Sequence, residues 1–291
     1  MFSILIPTYK NFEYLKICIK SLKKNSTYNN QIIVHINTED PETERFLSDY
    51  KITYTKSVYN YGMPKSLNTA SKFANQKYIV ISHDDFYYCP NWDEYLMNAI
   101  RGGNSEFFLY TGLMIGPKQP LECNYGETYK NFNETSLIKN YNTFPHYDFT
   151  GSTKHPAVLK KELWDRVGGW SEEFYPTGGD DTDFLVKLWN IGVRDFKGVH
   201  KSRVYHFGSI TTRKKIDSKN NYLGSKANII FLKKWGFTIH FFEKFYLRSG
   251  YSKKGIIMNK YNGYTKKPKK NIYFLLCLFF CKIRLLIAYV K

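Results

Sequence analysis

Cysteine is scarce in this chain of 291 residues, and no two cysteines have CxxC spacing. An odd number without paired spacing does not fit the disulfide framework of a small secreted domain. We therefore expect reduced thiols and a cytoplasmic location. The five cysteines are Cys18, Cys89, Cys123, Cys277 and Cys281.

The amino-terminus also lacks the pattern of a secretory signal. Such a signal has a basic start, an apolar core of about 7–15 residues and a cleavage site of small residues. Residues 2–7 instead form a short apolar run that is typical of a β-strand. We expect the first strand of the fold to begin almost at Met1.

Acidic residues are rare in the last part of the chain. The whole sequence has a net charge of +18, yet residues 1–206 contain 24 Lys and Arg against 23 Asp and Glu, and residues 207–291 contain 19 against 2. A nucleic-acid-binding protein would interleave basic and exposed aromatic residues on a folded surface. Because the excess charge belongs to one segment, we expect no nucleic-acid partner.

Long apolar runs are absent as well. The longest apolar run in the basic segment, residues 272–281, has ten residues, whereas a bilayer span needs about 20. Four lysines within residues 266–270 precede it, so residues 266–291 are predicted to bind the anionic inner face of a membrane as an interfacial helix. The alternatives are a helix packed on the catalytic domain or on a second subunit, and a membrane span with Lys282 and Arg284 near its middle.

The first two hundred residues alternate between strand and helix patterns. Strands are predicted at 2–7, 31–36, 52–54 and 77–82, with helices around residues 15–22 and over 64–75. This alternation predicts an α/β fold with a mostly parallel sheet, in which ligands bind beyond the carboxyl ends of the strands. Residues 101–150 have weak periodicity and are predicted to form irregular strands and loops. Further helices are predicted at 161–167 and 185–191.

Two acidic clusters and one histidine are candidates for chemistry. Asp84 and Asp85 follow the fourth strand, where paired carboxylates can bind a hard divalent cation or simply cap a turn. Residues 180–183 contain three carboxylates that suit either a general base or the capping of a helix. His206 follows another β-type run, and a lone histidine is more often structural than a ligand.

The order of these motifs resembles the family 2 glycosyltransferases, which have the GT-A fold. The similarity extends over residues 2–212 and is carried by segments in the family's order. These segments are Ile4-Leu5-Ile6-Pro7-Thr8-Tyr9, Asn60-Tyr61-Gly62 followed by Asn68, Asp84-Asp85, Phe149-Thr150-Gly151-Ser152, residues 161–170, Asp180-Asp181-Thr182-Asp183 and His206-Phe207-Gly208-Ser209.

The resemblance implies a metal-dependent inverting glycosyltransferase that moves a sugar from a nucleotide sugar to a hydroxyl of a glycan or lipid-linked acceptor. Asp85 and His206, with Asp84 beside them, would hold Mn²⁺ or Mg²⁺ against the diphosphate. Asp181 would be the general base. The residues expected to bind or orient the acceptor are Trp170, which would offer a ring face to a sugar, Asp180 and Asp183.

The same resemblance implies a set of nucleotide-binding residues. The resemblance favours a UDP-sugar donor. The carboxylate that usually contacts the base is missing near Asn37, so GDP and dTDP donors stay open. Leu67 stands where an arginine is frequent, and Lys65 is the substitute for its charge. The full set is Pro7, Thr8, Tyr9, Asn37, Glu39, Asn60, Lys65, Asn68 and Asp84.

Two regions follow from this interpretation, a GT-A domain over residues 1–212 and a basic, partly helical extension over 213–291. One alternative is a sugar nucleotidyltransferase, although residues 7–12 do not form the glycine-rich basic loop of that class. The other is a non-catalytic protein that binds nucleic acid or membrane. The oligomeric state is left open.

Overall fold

A computed structural model describes residues 1–117, 119, 121–143, 147–151, 155–208, 221–249 and 259–290. Over these residues the chain has the predicted α/β architecture, a sheet with helices on both faces. The predicted boundary between residues 212 and 213 lies outside the described residues, and so do Ser152 and Ser209 of the family-like segments.

One sheet contains all ten strands in this part of the chain, with the main order β3-β2-β1-β4-β9-β6-β10-β5. Strands β1 to β4 are parallel to one another, and β9 inserts antiparallel between β4 and β6. The strands are β1 (Phe2–Thr8), β2 (Gln31–Ile36), β3 (Thr53–Lys56), β4 (Tyr78–Ile81), β5 (Phe86–Tyr88), β6 (Phe108–Gly116), β7 (Leu121–Glu122), β8 (Phe149–Thr150), β9 (Ala157–Lys160) and β10 (Asp195–His206).

The helices cover both faces of this sheet. A 3₁₀ turn at Glu172–Phe174 precedes α7, and a π-helical turn at Glu243–Leu247 follows α9. The helices are α1 (Phe12–Asn25), α2 (Pro41–Asp49), α3 (Gly62–Ser71), α4 (Trp92–Arg101), α5 (Glu134–Asn140), α6 (Lys161–Val167), α7 (Asp180–Asn190), α8 (Asn221–Trp235), α9 (Ile239–Phe242) and α10 (Ile272–Val290).

The core forms where the first strands are buried on both sides. Ile4 and Ile6 pack with Leu15 and Leu22 of α1 on one face of the sheet. Leu5 points to the other face, where α3, α6 and α7 pack. Parallel strands covered on both faces read as continuous apolar runs, which is why these strands were predictable from the sequence.

The prediction for residues 101–150 was wrong at its most important point. Strand β6 has nine residues, all of them buried, and it pairs with β9 and β10 in the middle of the sheet. A strand buried on both faces has no alternation of polar and apolar residues. Glycines at 112 and 116 further weaken the strand signal in its sequence.

Helix α10 is longer than the apolar run predicted from the sequence, because it continues through Lys282 and Arg284. By length and composition alone, the stretch Ile272–Tyr289 could cross a membrane: its mean hydropathy is 2.0 and 11% of it is buried. One stripe of the helix, which includes Phe274 and Cys281, packs against Leu232 of α8 and Phe241 of α9. Within the described ranges, the helix therefore contacts the rest of the chain along one side.

Candidate active site

Asp85 and His206 meet at the carboxyl end of the sheet. Asp85 directly precedes β5, and His206 is the last residue of β10, opposite Phe86 in an antiparallel pair. The His206 Nε2 atom lies 3.2 Å from Asp85 Oδ2, and both side chains are buried. The backbone N–H of Phe207 donates to the Asp85 carbonyl, which fixes the same corner.

His83 completes this group, although the sequence prediction did not include it. One ligand atom from each of His83, Asp85 and His206 lies within 4.8 Å of the others. The His83 ring stacks on Phe86, with the ring centroids 4.9 Å apart. Two imidazole nitrogens and a carboxylate oxygen form a donor set that suits a divalent transition-metal ion. The only sequence signal for His83 was its place two residues before Asp85.

Asp84 points away from this group toward the end of β1. The Thr8 hydroxyl donates to Asp84 Oδ2 at 2.7 Å. Burial raises the pKa of Asp84 to about 7, the neighbouring Asp85 charge adds to this, and hydrogen bonds from Thr8 and Asn11 oppose it. Asp84 therefore links two strand ends.

Several predicted nucleotide-site residues come together at the start of α3. Asn37 Oδ1 accepts hydrogen bonds from the Tyr61 N–H at 3.0 Å and the Ser66 hydroxyl at 2.7 Å. Asn60 Oδ1 accepts from the Gly62 N–H at 2.8 Å. The Lys65 ammonium lies 4.1 Å from the centre of the Tyr61 ring. Asn37 and Asn60 thus shape the turn that presents Tyr61 and Lys65.

The remaining predicted residues on this side lie at the same edge of the sheet. Pro7 and Thr8 end β1, Tyr9 follows them, and Glu39 is exposed in the loop after β2. His35 of β2 was not among the predicted residues, and its ring stacks on Tyr61 with centroids 5.6 Å apart. Burial lowers the pKa of His35 to about 4, so this imidazole is neutral at physiological pH.

The second acidic cluster opens α7, and its carboxylates have different surroundings. Asp180 is buried and accepts from the Thr177 hydroxyl at 3.0 Å and the Gly178 N–H at 2.9 Å. Asp183 is fully buried and accepts from Ser171, Trp235 and Lys234. Hydrogen bonds within the chain therefore fix the carboxylates of Asp180 and Asp183.

Asp181 is half-buried and, unlike Asp180 and Asp183, faces a cavity. It lines a small cavity together with His155 and Trp170. The His155 ring lies 4.8 Å from that of His83, centroid to centroid. His155 therefore lies between the surroundings of Asp181 and the group formed by His83, Asp85 and His206.

Two predicted binding residues lie differently from what was expected. Trp170 is 2% exposed, with its ring between His155 and Phe184, so it has no open face for a sugar. Asn68 Oδ1 accepts from the Trp170 N–H at 2.9 Å, and Asn68 Nδ2 donates to the Trp170 carbonyl at 2.8 Å. The amide of Asn68 is a tether between α3 and the segment before α7.

A second contact joins α3 to the loop that leads into α7. Gly62, with φ +73°, begins α3, and a Cβ at this position would lie 2.7 Å from the Pro176 carbonyl oxygen. The Met63 N–H donates to that same oxygen at 2.8 Å. Only glycine allows this approach, so α3 and the segment before α7 are in direct contact.

With this geometry in place, comparisons with known proteins identify the family. The profile of glycosyl transferase family 2 matches residues 3–162, more than half of the chain. The chain belongs to glycosyl transferase family 2, which confirms the family predicted from its motifs.

Two relatives carry the same classification. An uncharacterized glycosyltransferase of Rickettsia prowazekii is 34% identical over 114 residues, which are 38% of this chain and 35% of the relative. An uncharacterized glycosyltransferase of Haemophilus influenzae is 23% identical over 196 residues, 65% of this chain and 62% of the relative. The match thus spans about a third of the first relative and about three fifths of the second.

Solved structures of TarS from S. aureus share the fold. The structure of residues 1–349 has a TM-score of 0.53 at 14% identity and covers 70% of this chain and 60% of that chain. The same fragment in complex with UDP-GlcNAc has a TM-score of 0.51 at 16% identity and covers 72% and 60%. At this identity the likeness concerns the fold alone, and it confirms the predicted GT-A class.

Proposed function

We propose that the chain is a metal-dependent, inverting glycosyltransferase that transfers a sugar from a nucleoside diphosphate sugar to an acceptor hydroxyl. The observation that carries this proposal is the meeting of His83, Asp85 and His206 at the carboxyl end of the sheet. In an open α/β sheet this is the edge where ligands bind. Asp181 lines a cavity with His155, and the His155 ring contacts the ring of His83.

The metal site belongs to the donor half of the reaction. A divalent cation bound there supplies charge neutralisation for the diphosphate leaving group. His83, Asp85 and His206 would hold it. Mg²⁺ prefers oxygen ligands in octahedral geometry, whereas imidazole nitrogen suits transition metals. The donor set of this chain therefore favours Mn²⁺ over Mg²⁺.

Asp181 is the proposed general base. Its carboxylate would take the proton of the acceptor hydroxyl while that oxygen bonds to the anomeric carbon. The sugar–phosphate bond breaks on the opposite face, and the nucleoside diphosphate leaves with the bonding electron pair. Attack from the face opposite the leaving group inverts the anomeric centre. Asp180 and Asp183 fix the start of α7 and so hold Asp181 in place.

The donor is proposed to be a UDP-sugar. Among the structural neighbours, TarS has been solved in complex with UDP and with UDP-GlcNAc, which supports uridine as the first choice. The side chain proposed to contact the uracil base is Tyr61, and Lys65 lies beside its ring. Asn37 holds the turn that carries both residues.

The deciding experiment measures the thermal unfolding midpoint with UDP, GDP, dTDP or CMP, each with and without Mn²⁺. A ligand that binds the folded state raises the midpoint. We expect a Mn²⁺-dependent rise with UDP in the wild type and in the Asp165→Ala control, and none in Asp85→Ala. A rise that persists in Asp85→Ala would remove this residue from the site, and no rise with any nucleotide would contradict the proposal.

The chain is further proposed to be cytoplasmic and peripheral at the inner face of a membrane, with a glycan or lipid-linked acceptor. Eight large apolar side chains of α10 are 50% to 67% exposed, and four lysines within residues 266–270 precede the helix. Such an exposed apolar surface with a basic flank suits an anionic lipid surface. The apolar side chains are Tyr273, Leu275, Leu276, Phe279, Phe280, Leu286, Ile287 and Tyr289.

Vesicle sedimentation tests this location. The double variant Leu276→Glu with Phe279→Glu should lose binding to vesicles that contain phosphatidylglycerol, while Asp165→Asn should bind as the wild type does. If the variant instead still sediments with vesicles, the exposed face of α10 is not the anchor. If the variant changes the oligomeric state but still sediments with vesicles, this face of α10 is an interface with a second copy of the chain.

A further inference from the structure

Two apolar grooves lie on either side of α10, away from the sheet. The first has a volume of about 580 Å³ and lies between α8 and α10; its apolar lining includes Leu232, Ile239 and Ile287. The second has a volume of about 280 Å³ and lies between α9 and α10; its apolar lining includes Phe245 and Phe280. Neither groove contains a residue of the proposed transfer site.

The two grooves share a polar, cationic edge. Thr238, His240 and Arg284 line both of them. His240 and Arg284 are exposed, and none of the ion pairs among the described residues neutralises Arg284. Lys233 belongs to the first groove and Lys244 to the second. A positive centre is thus placed where two apolar grooves diverge.

This arrangement matches one kind of ligand. An anionic diacyl phospholipid has one phosphate and two hydrocarbon chains that diverge from it. A guanidinium binds phosphate oxygens through two parallel N–H···O hydrogen bonds. Residues 251–291 contain ten Lys and Arg and no acid, which favours an anionic over a zwitterionic lipid.

We propose that Arg284 and His240 bind the phosphate of an anionic diacyl phospholipid whose two chains lie in the grooves beside α10. The site is independent of the transfer chemistry and differs from general contact between α10 and a bilayer, because it is saturable and holds one lipid. It adjoins the acceptor side of the enzyme: a Cβ at Gly179, the residue before α7, would lie 3.1 Å from Ile239 of the first groove.

The test uses the full chain and dihexanoyl phosphatidylglycerol, a soluble lipid, below its micelle-forming concentration. Isothermal calorimetry should give saturable binding of one lipid per chain. The double variant His240→Gln with Arg284→Gln should weaken binding at least ten-fold, whereas Lys282→Gln, which removes one exposed positive charge of α10 from outside the grooves, should weaken it less than two-fold.

A third variant tests the chain-binding part of the site. Ala288→Trp fills the first groove and leaves His240 and Arg284 in place, so it should also weaken lipid binding at least ten-fold. The thermal unfolding midpoint of each variant must match that of the wild type; Ala288→Phe replaces Ala288→Trp if that variant fails this check, and the single variant Arg284→Gln replaces the double variant. Equal loss with Lys282→Gln, equal binding of inorganic phosphate, or the absence of saturable binding would overturn the proposal.

Discussion

The Nε2 atom of His206 lies 3.2 Å from the Oδ2 atom of Asp85, although the two residues are far apart in the sequence. Strand pairing produces this contact, since β10 places His206 opposite Phe86, the residue after Asp85. Functional side chains that lie at the ends of paired strands are held more accurately than those on loops. The pairing of β5 with β10 therefore fixes the relative position of two of the proposed metal ligands.

His83 should be a metal ligand as important as the two predicted from the sequence. Replacing it with alanine removes one of two imidazoles, so we expect Mn²⁺ affinity to fall about ten-fold or more. Electron paramagnetic resonance of free Mn²⁺ measures this without reference to activity. His200→Ala is the control, because His200 contacts Asp148 instead. Unchanged affinity in His83→Ala would exclude His83 as a ligand.

Asp181→Asn should separate donor binding from transfer. The amide keeps the size of the side chain but cannot accept the acceptor proton, so transfer should fall by about 10²- to 10⁴-fold. The Mn²⁺-dependent rise of the unfolding midpoint with nucleotide should persist. Asp165→Asn, at an exposed position of α6, should leave both the transfer rate and the nucleotide-dependent rise of the midpoint unchanged. Near-normal transfer by Asp181→Asn would show that another residue is the base.

Asp180 should make stability depend on pH. Burial, and then the Asp181 charge, raise its pKa from 3.8 to about 7, so the folded state binds more protons than the unfolded state between these values. The free energy of unfolding should therefore decrease as pH rises from about 4 to 7, by at most about 1.4 kcal/mol per pH unit from this group. Urea unfolding at pH 5 and pH 7 measures the slope. Asp180→Asn should make the slope shallower, while the part due to Asp84 remains, and Asp165→Asn should leave it unchanged; equal slopes in all three proteins would contradict this account.

The sequence allowed the fold class and the positions of Asp85, Asp181 and His206 to be predicted, because strand ends and helix starts have local signals. Contacts between distant segments have none. His83 looked like any loop histidine, and Trp170 looked like an open sugar-stacking face. Only the packing of Trp170 against Phe184 and His155, and its tether to Asn68, shows why its ring is closed off.

Lys234 should stabilise the first turn of α7. Its ammonium lies 2.8 Å from Asp183 Oδ1 and 2.6 Å from Glu173 Oε1, and the Asp183 side chain is fully buried. Lys234 is at the surface and Asp183 keeps its hydrogen bonds from Ser171 and Trp235, so Lys234→Met removes one charged hydrogen bond to a buried carboxylate and should lower the free energy of unfolding by about 1–2 kcal/mol. Lys233→Met, at the exposed neighbouring position, should change it by less than about 0.5 kcal/mol. Adding Asp183→Asn to Lys234→Met should recover part of the loss; no recovery would mean that the pair is not its cause.

The contact between α3 and the loop before α7 can be tested by a substitution at Gly62, with the same substitution at Gly168 as the matched control. Both have positive φ, +73° and +71°, but a Cβ at Gly62 would lie 2.7 Å from the Pro176 carbonyl oxygen, whereas a Cβ at Gly168 would have nothing within 4 Å. Alanine at either position adds backbone strain of about 1–2 kcal/mol. Only Gly62→Ala must also move residue 176 away from α3. We therefore expect Gly62→Ala to be the less stable of the two in urea unfolding and to weaken nucleotide binding, while Gly168→Ala binds nucleotide as the wild type does. Equal losses in both variants would mean that the approach of Gly62 to Pro176 has no role in holding the two halves of the site together.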